Sequence, residues 1–426
     1  MEHDAVWQVR RTVDALGLET VAGHLGRDTS TIKSWISGAS DAPQDALAVL
    51  EQLYLDFSSS AITKAGADFT FIDLFAGIGG IRIAFQRAGG TCVFSSEYDS
   101  AAQKTYKAYF GESPHFENVF PTVPPGDITK LTPHLKVNKA LVPDHDILTG
   151  GFPCQPFSLA GVSKKQSMGR KHGFEDPTQG TLFFDVKEIL AAKRPKAFLL
   201  ENVKNLVSHD EKRTFTVISE TLRGLGYNIF PRVIDAAGWV PQHRERIYIV
   251  GFRIADPDLH PDQTWNVKDF QELYDLAPPV NGPDLLDVLE KDVPEKYTLG
   301  PGTWNTLVRH RAHHKSLGQG FGYGLITPPF QGKITRTISA RYHKDGAEIL
   351  ISQGEGKRPR RLTPLECSRL MGFPPDFQKL YNRKADSIPP VSDTQAYRQF
   401  GNSVAVPVVE AIAKLITGRL RAEGAL

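Results

Sequence analysis

Cys154 lies in the segment Gly150-Gly151-Phe152-Pro153-Cys154-Gln155-Pro156-Phe157-Ser158, directly after an apolar run that reads as a buried strand. A thiol flanked by prolines in a glycine-led loop is held stiffly and does not read as core packing. Cys92, in a strand over 92–96, and Cys367, on a helix, read as ordinary buried cysteines. Glu201-Asn202-Val203 follows the apolar strand Ala197 to Leu200, and Gln242-His243-Arg244-Glu245-Arg246 precedes another strand. Each alone reads as structural; a cysteine, a glutamate and two arginines at three strand ends form a set. Such a set suits methylation of an electron-poor ring carbon, such as carbon 5 of cytosine. A thiolate adding to carbon 6 makes carbon 5 nucleophilic. The negative charge arising at ring nitrogen 3 is met by a glutamate, and an arginine steadies the ring carbonyl oxygen. A cytosine inside a duplex must first be flipped out.

A methyl donor needs a pocket. Phe69 to Phe75 reads as a buried strand, Gly77, Gly79 and Gly80 as a turn, and Ile81, Ala84, Phe85 and Ala88 as one face of a helix. Bare backbone in Phe75-Ala76-Gly77-Ile78-Gly79-Gly80 lets a nucleotide-like ligand approach. Glu97 follows Gly77 by 20 residues, at the end of the next strand, where a carboxylate can accept from ribose hydroxyls. Arg82 occupies the third glycine position of a dinucleotide fingerprint, which favours S-adenosylmethionine over a nicotinamide cofactor.

The elements that carry these residues alternate between strand and helix, with further strands at Cys92 to Ser96, Asp146 to Thr149, Ala197 to Leu200, Ile229 to Asp235 and Arg246 to Phe252. Helices are expected over Thr181 to Ala192 and Lys212 to Leu222. The pattern implies an α/β, doubly wound sheet with its ligand at the carboxyl ends of the strands. A chain of 426 residues exceeds one ordinary domain. Residues 1–60 read as an all-α helix-turn-helix unit: helix Leu18 to Gly26, capping residues Asp28 and Thr29, then helix Thr31 to Ile36. In that unit Ser30, Thr31, Lys33 and Ser34 would face a major groove; a plain packing bundle is the other reading. Ser58 to Ala67 reads as a linker. Residues 68–254 form the catalytic domain, 255–393 a smaller irregular domain, and 394–426 a segment completing the catalytic domain.

Charge is uneven. The chain carries a net +2, yet Trp304 to Arg369 holds 12 Lys/Arg against 4 Asp/Glu, with His310, His313, His314 and His343. A basic segment in a near-neutral chain suggests a polyanion partner. Gly161, Lys164, Lys165, Gly169, Arg170, Lys171 and Gly173 read as a mobile basic flap beyond Cys154. Three dispersed cysteines, 40% hydrophobic content and no apolar run near the ~20 residues of a bilayer span suggest a soluble cytoplasmic protein. No metal site and no membrane association are expected.

Together these segments resemble the bacterial DNA cytosine-5 methyltransferases from Phe69 to Leu415. The likeness extends to Arg361-Leu362-Thr363-Pro364-Leu365-Glu366-Cys367, Met371-Gly372-Phe373-Pro374 and Gln399-Phe400-Gly401-Asn402-Ser403-Val404. It implies a Rossmann-like S-adenosylmethionine methyltransferase fold and a target-recognition domain over 255–393. It assigns Cys154 as nucleophile, Glu201 to the cytosine edge, Arg246 to the carbonyl oxygen and Arg244 to support. Asp73, Phe75, Gly77, Gly79, Glu97, Asp127, Ile128, Asn402 and Ser403 would contact the cofactor, with Asp127-Ile128 against the adenine. Asn202 and Gln242 would brace loops. Gly320-Phe321-Gly322-Tyr323-Gly324 and Thr335 to Leu350 are similar to the Dcm group, which modifies the inner cytosine of CC(A/T)GG; CCNGG is a related target. The stretch between Ile351 and Arg358 is shorter than that group's, which bears on the base contacts. Double-stranded DNA bound by a monomer, nucleoid association and a cognate restriction endonuclease are the expected partnerships. An RNA cytosine-5 methyltransferase would share the catalytic motifs, a transcriptional regulator would use residues 1–60, and an oxidoreductase would leave Cys154 and Glu201 unexplained.

Overall fold

The computed structural model describes residues 5–6, 9, 12–13, 17–50, 53, 68–114, 126–136, 138–153, 182–254, 265–320, 322–382 and 388–426. Cys154, the basic flap, the linker and Phe321 lie outside the described residues.

Near the N-terminus, α1 (Leu18–Leu25) ends at Gly26, whose left-handed conformation closes the helix. The Asp28 side chain accepts from the Thr31 backbone N–H, so α2 spans Thr29–Ser37 and takes Thr29 inside the helix. Val21, Ala22, Ile32 and Trp35 pack with Leu47 and Leu50 into a small cluster. Ser30 and Lys33 are exposed, while Thr31 and Ser34 are half-buried.

The main sheet has β1 (Phe69–Leu74), β2 (Gly90–Ser96), β3 (Ile147–Gly150), β4 (Ala197–Val203), β5 (Tyr227–Asp235) and β6 (Glu245–Arg253). Spatial order is β2-β1-β3-β4-β6-β5. Strands β2, β1, β3 and β4 are mutually parallel, while β6 runs antiparallel to both its neighbours. The chain reverses direction across the sheet between β1 and β3, and such a switch point opens a crevice at the strand carboxyl ends.

Period-two alternation assigns every core side chain to a face. Phe69, Phe71, Ile147, Ala197 and Leu199 join one apolar cluster, with Ala84 and Phe85 of α3 (Gly80–Arg87). Ile72, Leu74, Leu148, Phe198 and Leu200 join the other. Helix α4 (Ser100–Phe110) follows β2, and α5 (Leu182–Lys193) and α6 (Arg213–Gly224) cover the second face. Residues 255–393 contain α7 (Pro301–Ser316), α8 (Pro364–Leu370) and a two-stranded parallel pairing of Leu325–Ile326 with Leu350–Ile351. Their buried Phe270, Leu285, Ile338 and Phe377 join the first cluster, so the core runs on from the sheet without a break. Finally α9 (Asp393–Asn402) and α10 (Val406–Ala422) return to the sheet, with α10 packed on α3. Asp393–Ala422 has the length and mean hydropathy of a membrane span only when α9 and α10 are taken as one stretch, and most of its apolar portion is buried. Val408, Val409, Ile412 and Ile416 are buried in the core, which accounts for that composition.

Candidate active site

One cleft of about 930 Å³ opens at the carboxyl edge of β1, β3 and β4. Phe75, Gly77, Glu97, Asp127, Ile128, Pro153, Glu201, Arg246, Asn402 and Ser403 all line it. Residues separated by more than 300 positions therefore converge on one cavity.

At one end the backbone is shaped for a close ligand. Phe75, Gly77 and Gly79 have φ of 56°, 57° and 83°. A Cβ on Gly77 would meet nothing within 4 Å, whereas one on Gly79 would stand 2.2 Å from the Phe110 ring. Gly77 thus keeps space open toward the cleft, and Gly79 admits a packing neighbour. Glu97 accepts from the Gly77 and Asp99 backbone N–H groups, both at 2.7 Å, and each oxygen keeps a second lone pair. Burial raises its carboxyl above the usual range. Asp127 caps the turn Ile128–Leu131, accepting from the Thr129 N–H at 3.0 Å and its hydroxyl at 2.7 Å.

The other end holds charge. Arg246 Nε stands 3.1 Å from Glu201 Oε1, and both side chains are largely buried. The antiparallel register pairs Val203 with Arg246, which brings the start of β6 to the edge where the parallel strands finish. Burial pushes the Glu201 carboxyl up, and Arg246 and Arg244 oppose that shift. A Cβ on Gly151 would lie 3.3 Å from Glu201 Oε2, so the glycine lets the loop pass beside the carboxylate. Asn202 Nδ2 donates to the Phe152 carbonyl at 2.9 Å and anchors the segment that enters Cys154.

Some anticipated residues stand behind the cleft. Asp73 is fully buried, accepts from Thr149 Oγ1 at 3.1 Å, and has its carboxyl lifted to about 7 by burial. It does not line the cavity. Arg244 is also buried: it donates to the carbonyls of Ile338 at 3.0 Å, of Gly401 at 2.9 Å and of Ser403. It ties the Thr335–Leu350 segment to the Asn402-Ser403 turn. Gln242 works alongside, accepting from the Ile338 N–H at 2.8 Å. Arg82 is buried against Tyr106, with its Nη1 2.5 Å from the phenol oxygen, and pairs with Glu112.

Sequence reading missed several lining residues. Tyr98 is 62% exposed beside Glu97 and offers a ring face for stacking. Gln395, Arg398 and Gln399 precede Asn402 on one face of α9, a spacing of three and four residues that could have revealed them. Thr337 and Ser339 had no such signal, because only tertiary contacts carry them to the rim.

Among the described residues no cluster of three metal-ligating side chains occurs. The other two cysteines are unpaired; burial raises the Cys92 thiol to about 12 and Cys367 well above its ordinary value. Neither suits nucleophilic work near neutral pH.

Comparison with known proteins agrees with this geometry. The family model for the C-5 cytosine-specific DNA methylase matches residues 69–418. The DNA-cytosine methyltransferase of Escherichia coli K12 is 46% identical over 394 residues, covering 84% of this chain and 79% of that protein. Type II methyltransferase M.SsoII of Shigella sonnei is 43% identical, covering 96% and 93% respectively. In fold alone the chain is similar to a Schizosaccharomyces pombe (S. pombe) Dnmt2 methyltransferase, with TM-score 0.58, 20% identity and coverage of 83% and 99%. With a switch-point cleft, a buried Glu201–Arg246 pair and a family match spanning most of its length, the chain belongs to the C-5 cytosine-specific DNA methylases.

Proposed function

We propose that the chain methylates carbon 5 of a flipped-out cytosine in duplex DNA through a covalent adduct with Cys154. The observation that carries this reading is the buried Glu201–Arg246 pair, set beside the Phe152-Pro153 segment that leads into Cys154. Family membership implies S-adenosylmethionine, and the open Gly77 position, the anchored Glu97 and the exposed Tyr98 ring fit it. Bound there, that cofactor supplies an electrophilic methyl group. Gly77, Glu97, Tyr98, Asp127, Ile128, Asn402 and Ser403 would hold it, with Phe75 beside them.

In the proposed reaction the Cys154 thiolate forms a bond to carbon 6 of the ring. The carbon 5–carbon 6 π pair shifts, carbon 5 becomes nucleophilic, and charge gathers toward nitrogen 3. Glu201 in its protonated form donates to nitrogen 3, and Arg246 donates to the carbonyl oxygen. Once carbon 5 is substituted, loss of its proton and departure of the sulfur restore the ring and free Cys154. Asp73, Gly79 and Arg244 act by holding the backbone in place.

The target assigned is CC(A/T)GG or a related site such as CCNGG, on the likeness of residues 320–324 and 335–350 to the Dcm group. Residues 255–393 serve as target-recognition domain and 394–426 complete the catalytic domain. Residues 1–60 act as a DNA-binding regulatory module, an assignment supported by the capped α1–α2 pair with exposed Ser30 and Lys33. A monomer acting on DNA, alone or beside a cognate restriction endonuclease, fits this scheme.

Bisulfite sequencing of plasmid DNA from methylation-free cells expressing the chain tests the reading. Conversion-resistant inner cytosines at CC(A/T)GG are expected, and their loss with Cys154→Ser. Resistance at another motif replaces the target and keeps the chemistry. Soluble protein with no resistance anywhere overturns the DNA reading in favour of an RNA substrate or regulation alone.

A further inference from the structure

Helix α7, Pro301–Ser316, buries none of its residues. Over its 16 residues it carries Arg309, Arg311 and Lys315 with three histidines, and no Asp or Glu. An isolated helix of this length is marginal in water, so contacts must hold it. They come from one stripe. The Trp304 ring packs on Tyr323 at 4.8 Å, the Arg311 guanidinium sits 4.7 Å from the same ring, and His314 Nδ1 meets Gln319 Oε1 at 2.6 Å. Helical geometry turns Asn305, Arg309 and His313 to the opposite side, and all three are exposed. Arg309 has no ion-pair or hydrogen-bond partner among the described residues.

We infer that this outward face of α7 is a phosphate clamp, gripping the sugar-phosphate backbone of the duplex whose cytosine enters the cleft. The inference rests on the DNA reading above and deepens it. Three observations favour a phosphate backbone over base edges. The face presents guanidinium, amide and imidazole groups without a carboxylate, the donor set that phosphate oxygens take. Its charge complements a polyanion in a chain whose net charge is only +2. Its attachment also leads to the cleft: Tyr323 adjoins Gly322, whose carbonyl accepts from Arg336 Nη1 at 2.6 Å, and the next residue, Thr337, lines the rim. A clamp fixed through Tyr323 and Arg336 would hold the duplex in register with the catalytic residues while reading no sequence itself.

The test measures binding of a short labelled duplex lacking CCNGG across a salt series, for full-length wild type and for the variant Arg309→Gln. Removing one cation from a phosphate flattens the plot of log affinity against log salt by about 0.9, so Arg309→Gln should show a slope shallower by about one unit. Asn305→Arg adds a cation to the same face and should steepen the plot, which guards against a merely damaged protein. Affinity for site-bearing and site-free duplex should fall by the same factor, with the methylated sequence unchanged. Slopes equal to wild type in both variants overturn the clamp, as does a selective loss at the target site, which would mark base reading. Formation of 5-methylcytosine by wild type is scored in parallel: its presence with unchanged slopes removes the clamp and leaves the chemistry standing, while its absence removes the reading beneath both.

Discussion

Arg246 reaches Glu201, at 3.1 Å, because β6 runs antiparallel to β4. Were β6 parallel like β1, β3 and β4, its first residues would emerge at the far edge of the sheet. The strand reversal thus delivers a guanidinium to the edge where the parallel strands present their chemistry.

The raised Glu201 carboxyl gives a signed pH prediction. A carboxyl held above its ordinary value by burial keeps its proton to higher pH. Activity that needs the protonated form is full below that raised value and falls as pH climbs through it. Thiolate formation at Cys154 acts in the opposite sense, so the rate profile should be bell-shaped. Glu201→Gln should slow single-turnover methylation by about 10²–10⁴-fold and flatten the alkaline limb. An alkaline limb unchanged in the variant would assign that limb to another group.

The two glycines of the first loop should fail differently. Gly79→Ala meets the Phe110 ring and a positive φ, and is expected to destabilise the fold by about 1–3 kcal/mol. Gly77→Ala carries a similar φ but no steric neighbour, so its added methyl should tell chiefly on the ligand. Thermal unfolding should separate the pair, and calorimetric titration with S-adenosylhomocysteine should show the larger affinity loss, relative to stability, in Gly77→Ala.

Arg244 offers a test of positioning against catalysis. Its guanidinium donates to three carbonyls from two segments, and Arg244→Ala would leave buried acceptors unpaired. A loss of about 2–4 kcal/mol is expected. Lysine lacks the planar fork, so Arg244→Lys should recover only part of it. Chemical denaturation reads the stability, and the ratio of KM for cofactor to kcat reads the role. A positioning residue moves KM, through Ser403 and Asn402; a fall in kcat alone would return Arg244 to the catalytic set.

Much of this site was legible because local rules carry it. Gly77 and Glu97 are separated by one helix and one strand, and the alternation in β1 and β4 assigns sides before any contact is known. Glu201 likewise follows its strand directly. The sequence did not distinguish a residue lining the cleft from one buried behind it: Asp73 and Arg244 are polar residues in the right motifs that spend themselves on Thr149 and on backbone carbonyls. Thr337 and Ser339 reach the rim through the Gln242 and Arg244 contacts to Ile338, which join positions nearly a hundred residues apart. No pattern of spacing encodes such a link.

Separateness of the N-terminal module can be tested by removing it. Val21, Ile32 and Trp35 belong to an apolar cluster that shares no residue with the two clusters of the main sheet. The sheet begins at Phe69, and all the cleft-lining residues lie at or beyond Phe75. Deleting residues 1–60 should therefore leave kcat and the methylated sequence unchanged, with unfolding of the remaining chain still cooperative. Footprinting on promoter fragments, including that of the protein's own gene, should show any protection that the full chain gives and the truncated chain loses. A substitution at exposed Lys33 should weaken that protection without touching methylation. Loss of all methylation on deletion would instead make the module a structural part of the enzyme, since the chemistry would then depend on contacts beyond the cleft and its sheet.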